Sequence, residues 1–329
     1  IDNVNRNLPT FHRYLRLKKR LLGVDELHYY DLYAPATAEV SLKFTYDEAK
    51  ELVLEAIKPL GEDYADVVKR AFAERWIDVY PTPGKATGAY SNGAAYDVHP
   101  YILMNFDGSY DSVGTLIHEL GHTMQSYLSN KTQPYSLHDY TIFVAEVAST
   151  FNEALLDHLM LSRISDKSQR ISLLMNMLDG FKGTLFRQTQ FAEFQLAMHE
   201  MAAKGEPLTG KALSAIYRDI TRRYYGHAEG VSVVDDKVDI EWAFIPHFYM
   251  GFYVYQYSTS FVASQALSEQ VLTGDKESLS RYMSFLSAGR SKYPIDELAD
   301  AGVDMLSAKP FDQCISKMNS LMDQIEELL

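Results

Sequence analysis

The stretch Gly114-Thr115-Leu116-Ile117-His118-Glu119-Leu120-Gly121-His122 contains the pattern H-E-x-x-H. On an α-helix, residues four apart lie on the same face, one turn from each other. His118 and His122 can therefore offer two imidazoles to one metal ion. Glu119 then lies beside them as a candidate base for a water molecule at that metal. This stretch predicts a metal-binding helix, around which the rest of the chain is organised.

The residues that flank this pattern support the helix. An apolar stripe at helical spacing predicts its packing face, and it consists of Val113, Leu116, Ile117, Leu120 and Met124. A second face is polar and carries Asp111, Thr115, His118, His122 and Gln125. Asp107 and Ser109 are candidate caps just upstream. The side that offers metal ligands is thus separate from the side that packs.

A catalytic zinc ion needs a third protein ligand and leaves its fourth position to water. The segment from Thr141 to Glu153 carries another apolar stripe, which predicts a second buried helix. Glu146 lies off that stripe, and a carboxylate among packed apolar residues is costly unless it is paired or binds a metal. A third histidine, as in H-E-x-x-H-x-x-G-x-x-H, is excluded because Gln125 and Leu128 occupy the required positions. The sequence therefore predicts a His-His-Glu site with Glu146 as third ligand.

Several longer strings resemble the oligoendopeptidase F branch of the thimet oligopeptidase family of zinc peptidases. The strings are GKATGAYSNGAAYDVHPYILMNF (84–106), IHELGHTMQSYLS (117–129), FVAEVASTFNE (143–153), IPHFYMGFYVYQYS (245–258), NLPTFHRYLRLKKRLLGVDELHYYDLY (7–33) and AGVDM (301–305). The resemblance covers nearly the whole chain, in order. It implies a cytoplasmic zinc endopeptidase that acts on short peptides. Members of the family carry a further helical region before the part that matches Ile1 onwards, and we expect most of that region to be absent here.

The resulting fold prediction is a mainly α zincin-type helical metallopeptidase domain over residues 1–329, with one small β-sheet. Thr45 and Glu48 form a capping box that predicts a helix to about Lys58. Further helices are predicted at about 5–22, 62–76, 168–203 and 209–225, and the chain after Ser258 is predicted to be helical. Glycine and proline interrupt residues 79–107, where 88–91 and 98–105 are predicted strands.

The small sheet is a candidate substrate site. Small residues in a strand let another backbone come close, so Gly88, Ala89 and Tyr90 are predicted to bind an extended peptide by strand addition. Composition alone leaves a plain hairpin with tight turns equally open. The resemblance favours the substrate role, because related zinc peptidases bind substrate along such an edge.

The aromatic segment from His247 to Tyr257 is a candidate for transition-state stabilisation. Tyr249, Tyr253 and Tyr257 recur every four residues, which predicts that they line one helical face. Aromatic core packing is the alternative, although buried phenols need hydrogen-bond partners. In the resembled family a histidine and tyrosines of this segment face the zinc and the peptide carbonyl. That pattern implies roles for His247, Tyr253 and Tyr257, with Tyr255 as the alternative tyrosine next to substrate.

These assignments give a predicted mechanism of metal-assisted hydrolysis. One zinc ion per chain, held by the His-His-Glu set, activates a water molecule. Glu119 takes the proton of that water and delivers it to the leaving amine. His247 and a tyrosine stabilise the oxyanion together with the metal. Glu153, about two turns from Glu146, is predicted to hydrogen-bond a ligand imidazole and orient it.

The composition narrows the class of protein. The formal net charge is −13 and the pI is about 5.2, which argues against a nucleic-acid or anionic-membrane surface. A single cysteine, Cys314, cannot form an intrachain disulfide, which fits a reducing compartment. The sequence contains no run of 18 apolar residues, so no transmembrane helix is predicted. The resemblance implies short peptides as partners, and the oligomeric state is left open.

Two rival functions remain from the sequence. The first is a zinc carboxypeptidase on a similar helical scaffold, which would need a cation for the terminal carboxylate of its substrate. The second is a non-enzymatic metal-binding module, in which four protein ligands usually fill the coordination sphere. The sequence identifies neither that cation nor a fourth ligand.

Overall fold

The computed structural model describes residues 1–36 and 42–329. The described part is mainly α-helical with a small sheet, as predicted. Its helices in chain order are α1 (Asp2–Asn5), α2 (Leu8–Leu22), α3 (Tyr46–Ala56), α4 (Glu62–Ala73), α5 (Tyr110–Thr132), α6 (Ile142–Ala145), α7 (Val147–Arg163), α8 (Lys167–Gly180), α9 (Arg187–Ala203), α10 (Gly210–Tyr224), α11 (Tyr255–Leu272), α12 (Lys276–Leu286), α13 (Pro294–Asp300) and α14 (Lys309–Leu328). Its strands are β1 (Ile77–Asp78), β2 (Tyr90–Asn92) and β3 (Tyr101–Leu103). None of these helices is long and apolar enough to cross a membrane.

The chain forms two compact units. The first unit comprises Ile1–Val40, Asp166–Thr259 and Phe311–Leu329, and the second comprises Ser41–Ser165 and Ser260–Pro310. The single catalytic domain over residues 1–329 stays a prediction. The metal-binding pattern and the small sheet both belong to the second unit, whereas the aromatic segment that begins at His247 belongs to the first.

The core of the second unit is built on the two predicted apolar stripes. The stripe residues of α5 and α7 are all 0–1% exposed, and they are Val113, Leu116, Ile117, Leu120, Met124, Val147, Ala148, Phe151 and Leu155. At the start of α3, the Thr45 hydroxyl accepts a hydrogen bond from the Glu48 backbone N–H, while the Glu48 carboxylate accepts from the Thr45 N–H. The predicted capping box is thus confirmed.

The sheet of the second unit has the strand order β1-β3-β2. β1 is parallel to β3, and β2 is antiparallel to β3 with Ser91 opposite Ile102. β2 therefore lies at an edge of the sheet. The predicted strands were too long: Gly88 and Ala89 precede β2, because Gly88 adopts a left-handed turn (φ +84°) that an extended strand cannot contain.

The first unit packs aromatic residues from distant parts of the chain. The ring of Phe11 on α2 stacks on Phe186 at 4.6 Å between centroids, and Tyr225 approaches it edge-on at 5.2 Å. The predicted helical region 168–203 is helical throughout, but Phe181–Phe186 forms a π-helical turn between α8 and α9. Just beyond it, Arg187 forms a half-buried ion pair with Glu241 at 2.5 Å. Glu241 lies in the short 3₁₀ helix Asp236–Phe244 and also accepts hydrogen bonds from the hydroxyls of Tyr29 and Tyr217.

The prediction of one helical face for the aromatic segment was wrong. Pro246–Tyr249 forms a 3₁₀ helix, and α11 begins only at Tyr255. Between them Gly251 and Phe252 have positive φ angles of 36° and 54°. A left-handed backbone cannot continue a right-handed helix. Tyr249 is consequently separated from the later tyrosines and is 87% exposed.

Candidate metal centre and active site

Helix α5 presents the two histidines of the H-E-x-x-H pattern. Ser109 is its N-cap residue, as predicted, and its side chain accepts a hydrogen bond from the backbone N–H of Ser112. Asp107 supports this cap by accepting hydrogen bonds from the Ser109 and Ser112 hydroxyls. The helix then continues for 23 residues, so His118 and His122 lie one turn apart on a rigid element.

Glu146 lies at the junction between two helices. The predicted continuous helix over 141–153 was wrong, since α6 ends at Ala145 and α7 begins at Val147. Glu146 has φ −90° and ψ 2° and is the N-cap residue of α7. Its backbone carbonyl accepts the hydroxyl of Thr150 at 2.6 Å, and the Ser149 hydroxyl donates to Oε2 at 3.1 Å. Such local side-chain bonds compete with regular helix hydrogen bonding, and here they fix the carboxylate.

Two features bring α5 and α7 unusually close. A Cβ atom on Gly121 would lie 2.5 Å from the carbonyl oxygen of Ala148 and 2.6 Å from Cα of Ser149. One helical turn further along α7, the fully buried Asn152 donates from Nδ2 to the Ile117 carbonyl at 3.2 Å. The two helices that carry the candidate ligands therefore meet backbone to backbone beside the candidate metal site.

The three candidate ligand atoms converge on one point. Nε2 of His118 lies 3.2 Å from Nε2 of His122, and both nitrogens lie 3.4 Å from Oε2 of Glu146. A tetrahedral zinc ion with Zn–N and Zn–O bonds of about 2.0–2.1 Å separates its ligands by about 3.3–3.4 Å. The observed spacing and the donor set of two imidazoles and a carboxylate fit such an ion. In the described residues this is the one group of His, Cys, Asp or Glu with metal-site geometry.

The electrostatics of the site reflect this convergence. Burial lowers the pKa of His118, but its hydrogen bonds to Glu146 and Glu153 outweigh that effect and raise it to about 10. Burial also acts to raise the pKa of Glu146, yet hydrogen bonds from His118 and His122 hold it well below its usual range. The carboxylate is thus ionised, as a metal ligand must be.

Glu119 points to a different position from the ligands. It is 6% exposed, and its Oε2 atom is buried without a hydrogen-bond partner. Burial raises the pKa of this carboxyl, while the neighbouring His118 and His122 act in the opposite direction. The backbone N–H of Ser91 on β2 also hydrogen-bonds to Glu119. The site therefore holds a carboxyl group with one unpaired oxygen and with a proton affinity above that of an exposed glutamate.

Glu153 contacts the other side of the His118 ring. Its Oε1 lies 2.8 Å from Nδ1 of His118. With Nδ1 bonded to a carboxylate, Nε2 is the nitrogen that faces the other two ligand atoms. The structure thus brings together His118, His122, Glu146, Glu119 and Glu153.

The remaining candidates occupy other places. In the first unit, the ring of His247 lies 5.3 Å from that of Tyr253 and 6.1 Å from that of Tyr257, and the two phenol oxygens are 3.3 Å apart. Tyr255 is on the first turn of α11 and 38% exposed. The rings of His247, Tyr253 and Tyr257 form one polar aromatic cluster, in which the predicted tyrosine pair shares a hydrogen bond.

The candidate substrate residues of the second unit lie in β2 or just before it. Tyr90 begins β2, pairs with Leu103 and is 53% exposed. The carbonyl oxygen of Gly88 accepts a hydrogen bond from Asn105 at 2.9 Å. Gly88 and Ala89 therefore form the approach to the edge strand, and Ser91 is the strand residue in contact with the metal site.

Sequence reasoning missed Gly121, Asn152 and Ser91. A glycine in a helix interior costs about 1 kcal/mol relative to alanine, so Gly121 between the two histidines was a readable sign of close packing. Asn152 stands among apolar stripe residues, where a polar side chain needs a buried partner. Nothing in the sequence pattern distinguishes Ser91 from its neighbours.

Known proteins resemble this chain in sequence over most of its length. The model of Peptidase family M3 matches residues 1–316. Oligopeptidase PepF of Bacillus subtilis is 48% identical over the whole chain, and Group B oligopeptidase PepB of Streptococcus agalactiae is 42% identical. The chain spans about half the length of these relatives, 48% and 54% respectively.

Solved structures give the same result. A putative peptidase from Chlamydophila abortus matches with a TM-score of 0.89 at 38% identity, over 100% of this chain and 54% of that one. Oligoendopeptidase-F from Enterococcus faecium matches with a TM-score of 0.74 at 38% identity, over 99% of this chain and 51% of that one. The family match over nearly all of the sequence and these similarities show that the chain belongs to Peptidase family M3.

Proposed function

We propose that this protein is a zinc-dependent endopeptidase that hydrolyses internal bonds of short oligopeptides. The observation that carries the proposal is the convergence of His118, His122 and Glu146 to ligand spacing beside a buried, unpartnered oxygen of Glu119. Three protein ligands leave a fourth position open, which is typical of catalytic rather than structural zinc sites. Membership of a peptidase family supports the same conclusion.

In this proposal, one zinc ion per chain would act as a Lewis acid toward the substrate carbonyl and toward water. Glu119 accepts the proton of the attacking water at its open Oε2 atom and passes it to the nitrogen of the leaving amine. Its raised pKa favours this task, because a general base works best when its pKa is near the operating pH. Glu153 holds His118 in the orientation that directs Nε2 to the metal.

Substrate binding is proposed at the edge of the sheet. β2 has β3 on one side and no strand on the other among the described residues, so an extended peptide can add to it. Tyr90 and the preceding Gly88 and Ala89 would line this peptide, and Ser91 connects the strand to Glu119. The peptide bond next to this strand would then lie beside the base.

The polar aromatic cluster of the first unit is proposed to act on the substrate as well. His247 with Tyr253 or Tyr257 would donate hydrogen bonds to the carbonyl oxygen as negative charge develops on it. Tyr255 is the alternative donor and a candidate substrate contact. The resemblance of residues 245–258 to the oligoendopeptidase F branch supports this assignment.

The proposed location is the cytoplasm, with short peptides as partners. The buried Cys314 is the single cysteine of the sequence, so folding needs no intrachain disulfide and is compatible with a reducing compartment. The net charge of −13 makes a nucleic-acid partner unfavourable.

The test measures zinc content together with hydrolysis of an internally quenched peptide blocked at both ends. We expect about one zinc per chain and cleavage of an internal bond, identified by mass spectrometry of both products. Glu119→Gln should retain zinc and lose turnover by about 10²-fold or more. Release of single C-terminal residues, and only from peptides with a free carboxylate, would indicate a carboxypeptidase. Stoichiometric zinc without any hydrolysis would indicate a binding module.

A further inference from the structure

A polar cavity of about 330 Å³ lies in the second unit beside the end of β2. Three segments form it: residues 91–94, Ser126 and Asn130 of α5, and residues 138–140. Ser126 and Asn130 follow His122 by about one and two helical turns, or about 6 and 12 Å along the axis. An extended peptide advances about 3.3 Å per residue. The near side of the cavity is therefore about two residues from the bond that a substrate on β2 would present for cleavage.

The floor of this cavity is closely packed. A Cβ atom on Gly93 would lie 2.3 Å from Cβ of Ser126, so the backbone after β2 presses directly on α5. The carbonyl oxygen of Gly93 accepts a hydrogen bond from Nδ2 of Asn130 at 3.1 Å. The Ser126 hydroxyl lies 3.1 Å from the Tyr140 hydroxyl. These contacts fix the polar groups on this side of the cavity.

The orientation of His138 follows from the same network. Asn130 donates from Nδ2, so its Oδ1 atom is the acceptor for Nδ1–H of His138, at 2.8 Å. In this tautomer Nε2 is the acceptor nitrogen of the ring. The ring is held between Tyr135, which stacks on it at 5.3 Å, and Tyr96 at 4.9 Å. His138 therefore contributes a fixed acceptor to the cavity.

Asp139 adds a second, charged acceptor. One of its oxygens accepts the backbone N–H of Tyr140 at 3.0 Å, and the other accepts from Arg290 at 2.7 Å. A carboxylate offers about four lone-pair positions, so acceptor capacity remains. The residues that line the cavity include no Lys or Arg. The cavity consequently offers these acceptors to a ligand, and the nearby cation of Arg290 is already paired with Asp139.

We propose that this cavity is a specificity pocket for a substrate side chain that carries N–H donors, namely arginine, lysine or glutamine. The inference rests on the proposed endopeptidase function and names the substrate preference of that site. A glutamate side chain would bring a second carboxylate against Asp139 and leave the imidazole acceptor unpaired. Binding sites built around hydrogen bonds reject ligands that leave their polar groups unmatched. His138 and Asp139 are the residues that set the preference.

The test uses blocked, internally quenched peptides in which each of the three residues on either side of the cleaved bond is varied among Arg, Gln, Leu and Glu. At one position we expect kcat/KM to be about tenfold or more higher for Arg and Gln than for Glu. His138→Phe keeps an aromatic ring between the two tyrosines and removes the acceptor. That variant and Asp139→Asn should each reduce the ratio at that position to a few-fold. His158→Phe, the same change at an exposed position of α7, is the matched control and should retain it.

A binding measurement separates this inference from the proposed function. Zinc-loaded Glu119→Gln protein is titrated with the same peptides, and fluorescence anisotropy reports Kd. Tighter binding of the Arg peptide than of the Glu peptide, lost in Glu119→Gln combined with His138→Phe, supports the pocket even if the wild-type protein cleaves nothing. Equal preference in wild-type and His138→Phe proteins, or no preference at any position, would overturn the pocket and leave the endopeptidase proposal standing.

Discussion

Oε1 of Glu153 lies 2.8 Å from Nδ1 of His118, on the side of the ring opposite the converging ligand atoms. A carboxylate in this position fixes the tautomer and the orientation of a ligand imidazole and increases its basicity. Glu153 stands two turns beyond Glu146, so one helix end supplies both a proposed ligand and the partner of another ligand.

The first prediction follows from this contact. Glu153→Ala should weaken zinc binding by about 10- to 100-fold, the usual cost of losing such a partner. Glu153→Gln should cost less, because its amide oxygen can still accept the Nδ1 proton. Competition titrations with a chelator measure both affinities. Glu51→Ala, which removes an exposed carboxylate on α3 of the same unit, is the control and should bind zinc like the wild type. Unchanged affinity in Glu153→Ala would assign the contact no role in metal binding.

The second prediction concerns the third ligand. Glu146→Ala should lose most of the bound zinc, because two imidazoles alone hold the ion weakly. Ser149→Ala removes only a hydroxyl that donates to the same carboxylate at 3.1 Å, so it should retain about one zinc per chain. Atomic absorption after dialysis gives both stoichiometries. Full zinc and full activity in Glu146→Ala would mean that another group completes the site.

The third prediction tests the close approach of α5 and α7. Gly121→Ala would place a methyl group 2.5 Å from the Ala148 carbonyl oxygen, so the helices must separate. We expect a loss of about 1–3 kcal/mol of unfolding free energy and weaker zinc binding. Gly114→Ala on the same helix meets nothing within 4 Å and should be neutral or stabilising by up to about 1 kcal/mol. Urea unfolding of the metal-free proteins compares them. Equal stabilities for the two variants would contradict the backbone contact.

The sequence predicted the metal helix, its cap, the apolar stripes and the family because these features are local patterns or extended strings. It did not predict the break at Glu146, since an apolar stripe reports which side is buried and not whether the backbone stays helical. It also placed Tyr249 on one face with Tyr253, because spacing cannot reveal the positive φ angles at Gly251 and Phe252. Contacts such as Ser91 with Glu119 join distant segments, and such pairings depend on tertiary packing that a single sequence does not encode in a readable pattern.

The fourth prediction concerns a buried carboxyl away from the metal. Glu297 on α13 is 4% exposed, and burial raises its pKa from 4.5 to about 7. The folded protein therefore binds a proton more tightly than the unfolded chain does, and the stability contributed by this group falls as pH rises from about 4.5 to about 7. Glu297→Gln, which stays neutral, should raise Tm more at pH 8 than at pH 5. Thermal unfolding at both pH values measures this difference. Asp296→Asn, the same charge change at the adjacent exposed residue, should not show it.

The last prediction concerns the polar aromatic cluster. A donor that acts mainly in the transition state should, when removed, lower kcat and kcat/KM together with little change in KM. For His247→Ala and for the tyrosine that faces the oxyanion, we expect a loss of about 10²–10³ in kcat. A tyrosine that serves packing would instead lose about 1 kcal/mol of stability on change to phenylalanine and keep its kcat. Tyr253→Phe, Tyr255→Phe and Tyr257→Phe are compared for zinc content, Tm and kcat.

The hydrogen bond between Tyr253 and Tyr257 predicts that their double variant loses less kcat than the product of the single losses, because each phenol orients the other. If all three single variants keep kcat within a few-fold of wild type, this cluster is packing and other groups stabilise the oxyanion.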